Sequence, residues 1–291
     1  MERLWSPWRM TYVDGARQPG CVFCNALAAG DDREMLILHR GDHGFIMLNL
    51  YPYNSGHSMV VPYQHVSTIE NLDAASRAEL LELASLAVEA SRRILRCDGF
   101  NVGLNLGSVA GAGVADHLHM HVVPRWTGDA NFMPILGDTM VMPELLPATY
   151  ARMRGEIEAL VGERAGHPIN SAGTIIVVPG EGVVLASDDT AGLSFPVTPI
   201  CPPETVSDAV LRAAGGALGG STTIAGWAGM IDDTPAGRAV YLLATSLPGS
   251  ASVPGAIVLP PESVANALTD PALIELFQKQ LPIVTRLAGS M

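Results

Sequence analysis

Asp116-His117-Leu118-His119-Met120-His121-Val122-Val123-Pro124-Arg125 is the stretch whose reading decides the fold. Three of the eight histidines of the chain alternate with apolar residues there. In an extended strand, side chains at i, i+2 and i+4 point to one face. The spacing therefore predicts one row of imidazoles, His117, His119 and His121, with Leu118, Met120 and Val122 packed behind it. Three adjacent imidazoles are expensive to bury without partners. A structural strand and a strand-borne metal site both fit the row. Imidazole is also a nucleophile and a base near neutral pH, which favours nucleophilic or acid/base chemistry.

The loop before this strand, Asn105 to Gly113, carries Gly107, Gly111 and Gly113. Glycine allows close backbone approach to a ligand, and successive N–H groups form anion-binding nests. Arg125, just past the strand, offers a guanidinium contact. Such a loop is more often a plain connection, but beside aligned histidines phosphate binding is the better reading. Further upstream, Phe45–Asn49 and His57–Pro62 read as strands joined by the turn-rich Tyr51–Gly56. Asp73 is an N-cap for a helix running to about Arg96, with Leu80, Leu83, Ala84, Ala87 and Ile94 at helical spacing. Phe100–Leu106 reads as another strand and Pro143–Leu160 as another helix. Cys21-Val22-Phe23-Cys24 has a spacing that lets two thiolates reach one tetrahedral ion; a redox dithiol and two unconnected core cysteines are the competing readings.

The chain has 291 residues, enough for two domains. At 48% hydrophobic and 16% charged residues it is globular. A net charge of -12 without a basic block argues against binding nucleic-acid backbones, though not against small anions in a locally positive pocket. No basic-then-apolar leader opens the sequence, and no apolar run approaches the roughly 20 residues that span a bilayer. The expectation is a soluble cytoplasmic protein without nucleic-acid or membrane partners. Four cysteines in that setting do not imply a disulfide framework. Trp5, Pro7, Trp8 and Arg9 suggest an arm docked by its aromatics, or a loop packed on a neighbour in a dimer. Gly162, Gly166 and Pro168 break the pattern, which sets domains at 1–162 and 170–291.

The run from His117 to Val123 resembles the H-φ-H-φ-H-φ-φ signature of the histidine triad family, supported by Asn49 and by Gly56-His57. The similarity covers roughly residues 20–130. Trp5-Ser6-Pro7-Trp8-Arg9-Met10, Cys21-Val22-Phe23-Cys24 and the Val122-Val123-Pro124-Arg125-Trp126 flank look like its bacterial diadenosine tetraphosphate phosphorylase branch. The resemblance implies a HIT-like antiparallel sheet with helices, an α+β fold, and nucleotidyl transfer from a nucleoside polyphosphate. His119 would attack the α-phosphorus and form a nucleotidyl-histidine, resolved by water or phosphate. His121 would support it and His57 would stand beside the triad. Asn49 would lie near the ribose. Asn105, Gly107, Gly111, Gly113 and Arg125 would line the phosphate side. In zinc-bearing members the C-x-x-C pair is completed by two histidines, here His65 and His117. A structural zinc held by Cys21, Cys24, His65 and His117 is therefore expected, and a homodimer is the family default. Gly113 replaces a polar residue that the family often has, which leaves hydrolysis and phosphorolysis both open. A nucleotide sensor without turnover and a hydrolase of other AMP conjugates, such as nucleoside phosphoramidates, are the alternatives.

Residues 170–291 read as a second α/β domain. Thr174–Val178 and Gly182–Ala186 suggest a hairpin turning at Pro179-Gly180. Glu204–Leu218 suggests a helix, Ala239–Ala244 a strand and Pro271–Leu287 a last helix. This order resembles the Nudix hydrolases. Glu204, Arg212 and Gly219 fit the spacing of their box, but Ala213, Gly216 and Ala217 occupy its glutamate positions and Thr198 its first glycine. Alanine and glycine cannot coordinate the divalent ions that do Nudix chemistry. The resemblance implies a degenerate, non-catalytic domain with a structural role.

Overall fold

The computed structural model describes residues 19–129, 144–188, 192–234, 237–246 and 256–289. The aromatic arm expected at Trp5–Arg9 and the helix start at Pro143 lie outside these residues. The chain divides into two compact units, Met1–Leu145 and Leu146–Met291.

In the first unit, α1 (Val22–Ala29) precedes β1 (Ile37–Arg40), β2 (Gly44–Leu48) and β3 (Ser58–Pro62). α2 (Ala74–Leu95), β4 (Gly99–Leu104) and β5 (Met120–Arg125) follow. The five strands form an antiparallel sheet in the order β1-β2-β3-β5-β4. Asp73 caps α2 as expected, accepting a hydrogen bond from the Ser76 N–H at 2.7 Å. Leu80, Leu83, Ala84, Ala87 and Ile94 form its buried face. β5 begins only at Met120, so His117 and His119 lie just before the strand rather than within it. Residues directly opposite in an antiparallel pair share a face. Met59 pairs with both Met47 and His121, which places His121 on the face covered by Phe23, Phe45 and Val61. Leu118, Met120 and Val122 are buried, and Met120 and Val122 alternate to the opposite face.

Gly56 makes the approach to His57 possible. Its φ is +76°, and a Cβ there would stand 2.4 Å from Leu95 Cδ1. No other residue combines that dihedral with that closeness at no cost.

The second unit opens with α3 (Leu146–Arg164). A mixed sheet follows, built from β6 (Ser171–Val178), β7 (Gly182–Asp188), β10 (Thr222–Thr234), β11 (Gly237–Ser246) and β12 (Ala256–Leu259). Its order is β10-β11-β6-β7-β12, with short β8 (Gly192–Ser194) and β9 (Val197–Pro199) pairing β7 and β6. Among the described strand pairs of this sheet, β11 and β6 run parallel and the others antiparallel. α4 (Val206–Leu218) starts at a capping box between Thr205 and Asp208. α5 (Pro261–Ala267) and α6 (Pro271–Ala288) pack over the other sheet face around Phe277 and Val284. The expected hairpin is present, with the Glu181 N–H donating to the Val178 carbonyl.

One boundary is corrected. The sequence placed the first domain's end at 162, but α3 belongs to the second unit. It packs on β10 and α4, and Glu156, 2% exposed, accepts from the Val206 N–H at the start of α4. Among the described residues no helix is long and apolar enough to cross a membrane.

Candidate functional site

Hydrogen-bond chemistry fixes the tautomer of each histidine in the row. A backbone N–H can only donate, so His57 Nδ1, 3.0 Å from the Tyr53 N–H, is an acceptor. Its proton is then on Nε2, which donates to His121 Nδ1 at 3.0 Å. That leaves the Nε2–H of His121 as a donor. A carbonyl can only accept, so His119 Nδ1, 2.9 Å from the His117 carbonyl oxygen, carries a proton. The lone pair of His119 is thus on Nε2. By the same argument His117 donates from Nε2 to the Pro62 carbonyl at 2.9 Å, and its Nδ1 lone pair faces Cys21 at 3.3 Å and Cys24 at 3.7 Å.

Burial keeps these rings neutral. It pushes His57 down to about 3, with the neighbouring His121 and His119 adding to the effect. It pushes His121 down to about 4, and His119 also falls below the usual imidazole value. A neutral imidazole with a free Nε2 lone pair is a competent nucleophile at neutral and mildly acidic pH.

Two cavities meet at Tyr53 and His121. The larger, about 590 Å³, has largely apolar walls from Phe23, Met35, Met47 and Met59, with His119 and Asn49 facing in. Gly111 and Gly113 also line it. The smaller, about 510 Å³, is lined by Asn54, Asn101, Asn105, Arg125 and Asp129. Gly107 lines neither; at φ +79° it starts the short 3-10 turn Ser108–Ala110. Asn49 accepts from the Tyr51 N–H and turns its amide toward His57 Nδ1 at 3.4 Å.

Two sequence expectations change. His57 is completely buried and lines neither cavity; it meets them only through its hydrogen bond to His121. Arg125 is on the smaller cavity, and its guanidinium is held bidentately by Asp129 at 2.6 and 2.7 Å and donates to Asn101. The pairing neutralises much of the charge that the sequence offered for phosphate. Asp129 also accepts from Asn54, which ties the Tyr53–His57 turn to the end of β5. Tyr53, stacked on His57 with ring centroids 4.7 Å apart, and Phe23, 5.0 Å from His119, went unread in the sequence. Their only signal was an aromatic beside each motif.

A second cluster shares His117 with the row. One ligand atom each from Cys21, Cys24, His65 and His117 falls within 4.8 Å of all the others. Cys24 Sγ is 3.3 Å from His65 Nδ1. Bonds of roughly 2.3 Å to sulfur and 2.0–2.1 Å to nitrogen give tetrahedral S···N edges of about 3.6 Å. The donors therefore fit one tetrahedral ion, with His117 held from its far nitrogen as metal-bound histidines usually are. Burial and the adjacent Cys21 thiol push the Cys24 thiol up.

The HIT domain family matches residues 33–128. A protein named AP-4-A phosphorylase from Mycobacterium tuberculosis is 46% identical over 157 residues, spanning 51% of this chain and 80% of that protein. The chain belongs to the histidine triad (HIT) family. Another HIT relative, adenylylsulfatase HINT3 from Arabidopsis thaliana, is 31% identical over 108 residues, 37% of this chain and 53% of that protein. Among solved structures, a zinc-bound histidine triad protein from Mycobacterium smegmatis aligns with a TM-score of 0.41 at 23% identity, over 50% of this chain and 97% of its own.

Proposed function

We propose that the first unit is a nucleotidyl-transfer enzyme that cleaves dinucleoside polyphosphates of the diadenosine tetraphosphate type. The observation that carries this reading is the free Nε2 lone pair of His119 at the wall of an apolar cavity, beside the donor Nε2–H of His121. The AP-4-A phosphorylase of Mycobacterium tuberculosis, similar over most of its length, supports the substrate class.

In this account one nucleoside occupies the apolar cavity. His119 Nε2 attacks the α-phosphorus, a P–N bond forms, and the bond from that phosphorus to the bridging oxygen breaks. The electron pair leaves with a nucleoside polyphosphate, a stable anion that requires no proton. The His117 carbonyl oxygen, accepting from Nδ1–H, steadies the positive charge that develops on the ring. His121 Nε2–H donates to the transferring phosphoryl oxygens, a preorganised contact of the kind that stabilises transition states. Inorganic phosphate or water then breaks the P–N bond, giving ADP or AMP.

Zinc is the ion we assign to Cys21, Cys24, His65 and His117. Two thiolates and two imidazoles suit zinc, and four protein donors make a closed, structural site. For the second unit we propose a Nudix-like fold that has lost its metal site. Glu204 and Arg212, the two residues that align with the box, form an ion pair at 2.8 Å, and Arg212 also donates to Thr198 and to the Pro199 carbonyl. Ala213, Gly216 and Ala217 offer no ligand.

Product analysis tests the activity. With diadenosine tetraphosphate, ADP and ATP in phosphate buffer identify a phosphorylase, whereas AMP and ATP with or without phosphate identify a hydrolase. No products in either buffer, with nucleotide still bound, would replace the enzyme by a sensor.

A further inference from the structure

Helix α1 has two attachments. It carries the metal donors, with Cys21 at its N-cap and Cys24 in its first turn, and it lines the larger cavity with Val22, Phe23 and Ala26. Phe23 is buried at 3% exposure, its ring 5.0 Å from that of His119 and 5.3 Å from that of His117. Ala112, Gly113 and Val114 line the same cavity and lead into His117, a third donor. The segments that hold the ion are thus also walls of the pocket.

A helix of eight residues is too short to be stable by itself, and the Cys21 side chain at the N-cap of α1 accepts no hydrogen bond from the helix's own N–H groups. Its position rests on packing and on the two cysteines. We propose that metal and nucleotide binding are coupled through α1, with Phe23 as the residue that positions the His119 ring against that helix. The proposal rests on the reading that the larger cavity takes the nucleotide. Ordering a wall before the nucleotide arrives removes a cost that binding must otherwise meet. Coupling of this kind is reciprocal, so a bound nucleotide strengthens metal binding by the same factor.

The test uses the zinc-loaded full chain, AMP as the probe, and a chelating dye that competes for zinc. Calorimetry first establishes that AMP binds. Saturating AMP is expected to raise zinc affinity by at least about fivefold, and zinc-free protein to bind AMP more weakly by the same factor. Phe23→Ala is expected to lower this factor toward one and to reduce kcat more than it changes KM; Phe23→Leu restores part of both. If Phe23→Ala fails to fold, the wild-type competition decides. Zinc affinity unchanged by bound AMP overturns the coupling and leaves the nucleotide reading standing. Failure of AMP to bind overturns the nucleotide reading and the coupling with it.

Discussion

Replacing His57 with leucine removes a residue that touches no ligand, yet the relay predicts a catalytic defect. Leucine keeps the bulk and loses both nitrogens. The Tyr53 N–H then lacks its acceptor and His121 Nδ1 lacks its donor, in a place with no solvent access at His57. Each buried group left unsatisfied costs about 1–3 kcal/mol, so the fold should lose about 2–6 kcal/mol in urea titrations. His121 is then free to carry its proton on Nδ1 and turn a lone pair, instead of an N–H, toward the phosphoryl group. Loss of one such donor lowers kcat by about 10²–10³. KM should change by less than about threefold, because the walls of the larger cavity are untouched. His57→Gln, whose amide oxygen and N–H reach in the same two directions, should recover part of kcat. The assay is steady-state cleavage of diadenosine tetraphosphate under conditions where each variant is folded by circular dichroism. A kcat for His57→Leu within about threefold of wild type would refute the relay.

Other outcomes follow from the same geometry. His57 and His121 sit at about 3 and about 4, below the roughly 6.5 of an unfolded chain. Their stabilisation is therefore full above about pH 6.5 and is lost as pH falls toward 4 and then 3, at about 1.4 kcal/mol per pH unit for each ring. Urea midpoints at several pH values measure this slope, and His57→Gln should flatten it. Gly56→Ala forces a left-handed φ on alanine and drives its Cβ into Leu95, so a loss of about 1–3 kcal/mol is expected in the same titration. Cys21→Ser should abolish stoichiometric zinc in metal analysis, lower Tm and weaken AMP binding in calorimetry.

What the sequence made legible was periodic or capped. The alternation from His117 to Val122 placed three imidazoles in front of a buried backing, and the structure keeps that arrangement although β5 starts only at Met120. Asp73 and the spacing of Leu80 to Ile94 located α2 to within about one residue. The Cys21–Cys24 spacing and the similarity at His65 and His117 met in one cluster. Other features depend on partners distant in sequence. α3 buries Tyr150, Met153, Gly155, Glu156 and Leu160 around much of its circumference, so no stripe told which sheet it covers. β10 is interrupted by Gly226, Gly229 and three register shifts, which hide the period of two in a thirteen-residue strand. Arg125 read as a phosphate contact because Asp129 becomes its partner only when the turn after β5 closes.

The chemical assignment of His119 is the centre of the account, and intact-protein mass spectrometry tests it most directly. The full chain, mixed with diadenosine tetraphosphate in phosphate-free buffer and quenched within the first turnovers, should carry one adenylyl group. Peptide mapping should place that group on His119, and His119→Asn should carry none while still binding AMP. An adduct on another residue, or continued turnover by His119→Asn, would contradict the account.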